Sequence, residues 1–80
     1  MTQERRESPR RRTLKGAQIV FNNRRSTLEC SIRNLSNYGA LLAVRSLIGV
    51  PSEFELRIDA ELRPARVVWK GIGKLGIAWL

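Results

Sequence analysis

The 80-residue sequence contains no histidine and a single cysteine, Cys30. One cysteine cannot form an intrachain disulfide, and the usual imidazole and thiolate ligands of zinc are missing. A serine or cysteine nucleophile would also lack the base that normally activates it. These absences argue against a metal site and against an enzyme, so we expect a binding protein without a cofactor.

Long apolar runs are also absent. No stretch of about 18 apolar residues is present to cross a bilayer, and the basic N-terminus lacks the apolar segment of a signal peptide. Eighty residues allow one domain. We therefore expect a cytoplasmic, single-domain protein with no membrane insertion.

Positive charge is abundant: the net charge is +8, and residues 1 to 15 contribute +4 of it. The charged residues of this segment are Arg5, Arg6, Arg10, Arg11, Arg12 and Lys15, with Glu4 and Glu7. We expect residues 1–15 to form a flexible basic arm that binds an anionic partner. Arginine predominates, and a guanidinium can hold a phosphate through two bonds, bond the acceptors of guanine and stack on a purine.

From Ala17 onward, apolar and polar residues alternate, which is typical of strands with one buried face. The pattern predicts six strands, near residues 17–21, 26–34, 39–46, 53–59, 63–69 and 75–80, and no helix longer than a turn. Closure of the sheet would remove exposed strand edges. We therefore predict that residues 16–80 form an all-β fold, a small six-stranded antiparallel barrel.

The alternation also predicts the core. The expected inward residues are Ile19, Phe21, Leu28, Cys30, Ile32, Leu42, Val44, Phe54, Leu56, Ile58, Val67, Trp69, Ile77 and Trp79. For Trp69 a core position is favoured over stacking on a base. Leu47, Ile48 and Val50, apolar residues of a predicted loop, either pack against the core or form a homodimer contact.

A second polar segment, NLSNYG at residues 34 to 39, separates the second and third predicted strands. Asn34 and Ser36 have short side chains that bond nearby backbone, and Gly39 suits a positive φ or a close backbone approach. The segment is interpreted either as a plain hairpin connection or as a binding loop. In a binding loop, the Asn34 amide would contact a base edge and the Ser36 hydroxyl a phosphate.

In combination, these segments resemble the PilZ family. Arg6 and Arg10, preceded by Arg5, match its RxxxR element, and Asn34, Ser36 and Gly39 match its (D/N)xSxxG element. Residues 66–80, RVVWKGIGKLGIAWL, are similar to its closing strand pair. The resemblance implies a six-stranded barrel that binds the bacterial second messenger cyclic di-GMP. Arg6 and Arg10 would then contact phosphates and guanine, Arg5 would assist, and Asn34, Ser36 and Gly39 would form the loop.

Cyclic di-GMP has two phosphates and two guanines, commonly stacked as an intercalated dimer, which suits arginines combined with a polar loop. We expect ligand capture to change conformation or partner binding. Because the sequence ends after the last predicted strand, we expect the effector to be another protein or another copy of this chain. Two alternatives remain open: a basic barrel that binds RNA, and a PilZ scaffold that acts only through protein partners. The roles of Arg11, Arg12 and Trp69 also remain open.

Overall fold

The computed structural model describes the backbone of residues 11 to 80 and the side chains of residues 15 to 80. These residues form six strands: β1 (Arg11–Phe21), β2 (Ser26–Leu35), β3 (Gly39–Val44), β4 (Glu53–Ile58), β5 (Glu61–Gly71) and β6 (Lys74–Trp79). All pairings are antiparallel, and the strands close in the order β1-β2-β3-β6-β5-β4. The predicted six-stranded antiparallel barrel is confirmed. Within residues 11 to 80, no helix has the length and apolar character to cross a membrane.

β1 begins at Arg11, five residues before the expected start of the barrel domain at residue 16. The backbone of Arg11 and Arg12 pairs with Leu35 and Asn34 of β2, and the register shifts before Lys15. Main-chain pairing does not depend on apolar alternation, so the side-chain pattern gave no signal for this extension. The remainder of the expected arm, including Arg5, Arg6 and Arg10, lies outside the described residues.

The barrel interior is filled by the inward faces of all six strands. Its buried residues are Ala17, Ile19, Cys30, Ile32, Leu42, Val50, Phe54, Leu56, Ala65, Leu75 and Ile77. Every residue predicted to face inward lies in this core or packs against it, except Trp69. Cys30 is a small core residue: burial, with a smaller contribution from the charge of Glu29, raises the pKa of its thiol to about 11. A thiol with so high a pKa is largely protonated near neutral pH and therefore unreactive.

The connection from β3 to β4 closes one end of the barrel. Leu47 packs against the core and Val50 is buried, whereas 88% of Ile48 is exposed. Of the three apolar loop residues, two therefore serve loop packing and only Ile48 is left for a contact with a partner.

Candidate functional site

A groove of about 460 Å³ runs along the outer wall of the barrel, across β2, β3, β6 and β5. We call it the outer groove. Its main lining residues are Asn34, Ser36, Tyr38, Gly39, Leu41, Val68, Trp69 and Ala78. Small residues on β3 and β6 form the floor, because Gly39 and Ala78 are direct cross-strand partners. The volume lies within the range of about 300 to 1,000 Å³ that is typical of small-molecule sites.

A bulge in β2 places Asn34 in the outer groove. Ile32 pairs with Leu42 of β3, but Asn34 pairs with Leu41, so Arg33 is an additional residue on β2. Uninterrupted alternation would point Asn34 inward with the buried Ile32. The additional residue reverses the alternation, and Asn34 lines the groove instead.

A second bulge, in β5, corrects the prediction for Trp69. Val67 pairs with Ile77 of β6, whereas Trp69 pairs with Gly76, so Val68 is the additional residue. Val67 packs against the core, but Trp69 is turned to the outer wall and 46% of it is exposed. The expectation of a core Trp69 is therefore wrong, because the bulge reverses the alternation. Its indole rests directly on Gly76, where no side chain intervenes.

The β2–β3 loop, which closes one end of the groove, is held by Ser36. The Ser36 backbone N–H donates to the carbonyl of Gly39 at 2.9 Å. The Ser36 hydroxyl accepts the N–H groups of Tyr38 at 3.1 Å and Gly39 at 3.3 Å. The hydroxyl also donates to the Gly39 carbonyl, with 3.4 Å between the two oxygen atoms. This last contact is long for an O–H donor, so the hydrogen can turn to an anion in the groove.

Gly39 is required by a close backbone approach, one of the two reasons expected for it. A Cβ at this position would lie 2.9 Å from the carbonyl carbon of Ile77 and 3.0 Å from Cα of Ala78, and nearer still to the Ile77 oxygen. Its φ is not positive. The serine and glycine of the motif thus have structural tasks in the turn.

Trp79 fixes the loop to β6. Its indole Nε1–H donates to the carbonyl of Ser36 at 3.1 Å, and its backbone N–H donates to the carbonyl of Tyr38 at 3.0 Å. The guanidinium of Arg63 lies 4.0 Å from the centroid of the Trp79 ring, within the range of a cation–π interaction. The position of Ser36 relative to the groove therefore depends on a residue of the last strand.

The described surroundings of the groove favour an anion. None of the described residues that line it is acidic. Arg66 is the direct cross-strand partner of Ala78, so its exposed side chain stands on the same outer face. Among the residues that the structure describes, no group of three or more acidic or cysteine side chains could hold a metal ion.

The structure brings together three of the predicted site residues, Asn34, Ser36 and Gly39. The other three, Arg5, Arg6 and Arg10, are outside the described residues. Sequence reasoning missed Arg66 as a groove residue and favoured a core position for Trp69, because a cross-strand neighbour and a bulge are properties of strand register. The glycine at position 76, between apolar residues of a strand, was the available signal for a large side chain packed on the backbone.

A known structure has a similar architecture. The barrel is similar to the crystal structure of the PilZ domain of CeSA from a cellulose-synthesizing bacterium, with a TM-score of 0.69. The two sequences are 20% identical, and the match covers 91% of this chain and 81% of the other. Comparison with models of known protein families gave no match, and neither did comparison with curated proteins. The chain therefore has a PilZ-like fold.

Proposed function

We propose that the chain is a cyclic di-GMP receptor whose site combines the outer groove with the basic arm. The observation that carries the proposal is the pairing of Arg11 with Leu35, directly beside Ser36. Arg10 is bonded to Arg11 and so begins one residue from the rim of the groove. Arg6 is five residues from Arg11, a separation of at most about 18 Å in a fully extended chain. Both arginines can therefore reach a ligand in the groove.

Each part of the ligand has a suitable partner in this site. Arg6 and Arg10, assisted by Arg5, bind the phosphates and the guanine acceptors. The Asn34 amide contacts a base edge. The Ser36 hydroxyl turns from the Gly39 carbonyl and donates to a phosphate oxygen. The exposed face of Trp69 provides a surface on which a guanine stacks. An apolar surface, polar groups at one end and the guanidinium groups of the arm match a stacked dinucleotide, as a monomer or an intercalated dimer.

The proposed role is that of an adaptor in the bacterial cytoplasm. Capture of the nucleotide would bring the arm against the outer groove and change the surface offered to an effector protein. No catalytic step and no cofactor are needed for this role.

Isothermal titration of the purified protein with cyclic di-GMP tests the proposal, with GTP as the control for a single guanine nucleotide. We expect heat of binding at micromolar protein for the cyclic dinucleotide, and much weaker binding of GTP. Absence of heat, in a protein whose circular dichroism shows intact strands, rejects cyclic di-GMP as the ligand.

A second candidate is a single-stranded RNA. The exposed rings of Tyr38, 81% exposed, and Trp69 line the same groove, which is the arrangement of a stacking platform. Arg66 beside the groove would suit a nucleic acid backbone as well. A polymer that neutralises many phosphates has a steep dependence of log affinity on log salt, whereas a dinucleotide has a shallow one. Titrations over a range of salt concentrations, with cyclic di-GMP and with a short RNA, distinguish the two.

A further inference from the structure

Two isoleucines project from the end of the barrel that lies beyond Val44. The exposed fractions are 88% for Ile48 and 97% for Ile72. The N–H of Val44, at the end of β3, donates to the carbonyl of Gly73 at 2.9 Å, so the β5–β6 turn lies beside the end of β3. From there the β3–β4 loop must cross the β6–β5 pair, because those strands separate β3 from β4 in the barrel. The loop carrying Ile48 and the turn carrying Ile72 therefore lie at the same end of the barrel.

Each of the two isoleucines lies in a turn that is defined by a glycine with positive φ. Ile48 precedes Gly49 with a φ of 88°, and Ile72 precedes Gly73 with a φ of 68°. The N–H of Ile48 also donates to the Ser46 hydroxyl at 3.1 Å. Positive φ values of this kind are adopted readily by glycine and fix tight turns. The two isoleucines are thus presented to solvent by defined turns, while Leu47 and Val50 fill the core beneath them.

Three cations flank the two isoleucines in the sequence. Arg45, Lys70 and Lys74 belong to the same two segments, residues 45–52 and 70–74, which contain no acidic residue. All three are exposed, and none takes part in an ion pair among the described side chains. We call the surface formed by Arg45, Ile48, Lys70, Ile72 and Lys74 the isoleucine tip.

We propose that the isoleucine tip docks the barrel on an anionic lipid surface. Convex turns with projecting aliphatic side chains can insert between lipid headgroups. A protein partner would instead have to provide a pocket shaped to receive them. The surrounding cations attract anionic headgroups over about a Debye length. The tip and the β2–β3 loop lie at opposite ends of β3, a strand about 17 Å long. Docking at this end therefore leaves the β2–β3 loop end of the outer groove open, and the proposal goes beyond nucleotide binding.

The test places an environment-sensitive nitrobenzoxadiazole label at the tip by Ile72→Cys. Cys30 is buried with a raised thiol pKa, so the label is directed to position 72. The matched control is Leu80→Cys, an exposed apolar position after β6 at the other end of that strand. Without any nucleotide, we expect blue-shifted emission from the label at position 72 when phosphatidylglycerol vesicles are added, little shift from the label at position 80, and none from either with phosphatidylcholine vesicles.

Charge variants complete the test. Lys70→Gln and Lys74→Gln should each lower partitioning to phosphatidylglycerol vesicles about fivefold. Arg57→Gln on the wall of β4 should change it little, because Arg57 lies more than a Debye length along β4 from the loop. The same fold in all variants is checked by circular dichroism. An unshifted label at position 72, or tip variants that bind as the wild type does, overturns the proposal. The proposal is also overturned if the wild type self-associates and the double variant Ile48→Ser/Ile72→Ser does not, because the tip would then bind a second copy of the chain.

Discussion

Substitution of Gly39 by alanine tests how closely the β2–β3 loop approaches β6. All three atoms nearest to the new Cβ are backbone atoms of Ile77 and Ala78, and the closest would overlap with it severely. A flexible side chain could turn away, but here β3 and β6 must separate locally. Overpacking of this kind costs typically 1 to 3 kcal/mol, and because only backbone can yield we expect about 3 kcal/mol. A domain of this size has only about 4 to 12 kcal/mol of stability.

The expected result is a melting temperature that is lower by roughly 12 to 24 °C, followed by circular dichroism. Gly16→Ala is the matched control, because a Cβ at Gly16 meets no atom of the described residues within 4 Å and the φ there is not positive. That variant should be unchanged or more stable by up to about 1 kcal/mol. If Gly39→Ala melts with the wild type, the close approach of the loop to β6 is wrong.

Three other substitutions test separate contacts. Ser36→Ala should weaken cyclic di-GMP binding by about 1 to 3 kcal/mol in isothermal titration, the scale for a bond to a charged group, and an unchanged affinity would remove Ser36 from the site. Trp79→Phe keeps an aromatic ring but loses the hydrogen bond to the Ser36 carbonyl. The free energy of unfolding should fall by about 1 kcal/mol, and the amides of the β2–β3 loop should exchange hydrogen faster. Unaltered exchange would contradict the role of Trp79. Arg24 donates to Glu55 at 3.0 Å and holds the pKa of that carboxyl below its usual range. The pair therefore stabilises the fold near neutral pH, and this stabilisation is lost as the pH falls through the lowered pKa. The melting temperatures of the wild type and Glu55→Gln should therefore converge in acid, and a constant difference would refute the pair.

The strands and the barrel could be predicted from the sequence because side-chain alternation reports directly on which face is buried. The prediction held for residues such as Leu28, Ile32 and Leu56, which lie on regular strands. It also found the β2–β3 loop, because its polar residues interrupt the alternation. The similarity of the barrel to a PilZ domain structure supports the fold that the two motifs implied.

The site could not be predicted fully, because two bulges determine which side chains reach the outer wall. An additional residue in a strand leaves no mark on composition or alternation until its partner strand is known. Trp69 was therefore placed in the core, and Asn34 was identified by its motif rather than by its orientation. Arg66 belongs to the groove surroundings only through its pairing with Ala78, a contact between strands that sequence spacing does not reveal.

The central claim is that arginines of the arm and the β2–β3 loop hold one nucleotide together. Isothermal titration of cyclic di-GMP into Arg6→Ala and Arg10→Ala, beside Arg57→Ala as an exposed arginine of β4, tests it most directly. We expect each arm variant to lose binding while its melting temperature stays that of the wild type, and Arg57→Ala to bind normally. Wild-type affinity in both arm variants would contradict the claim.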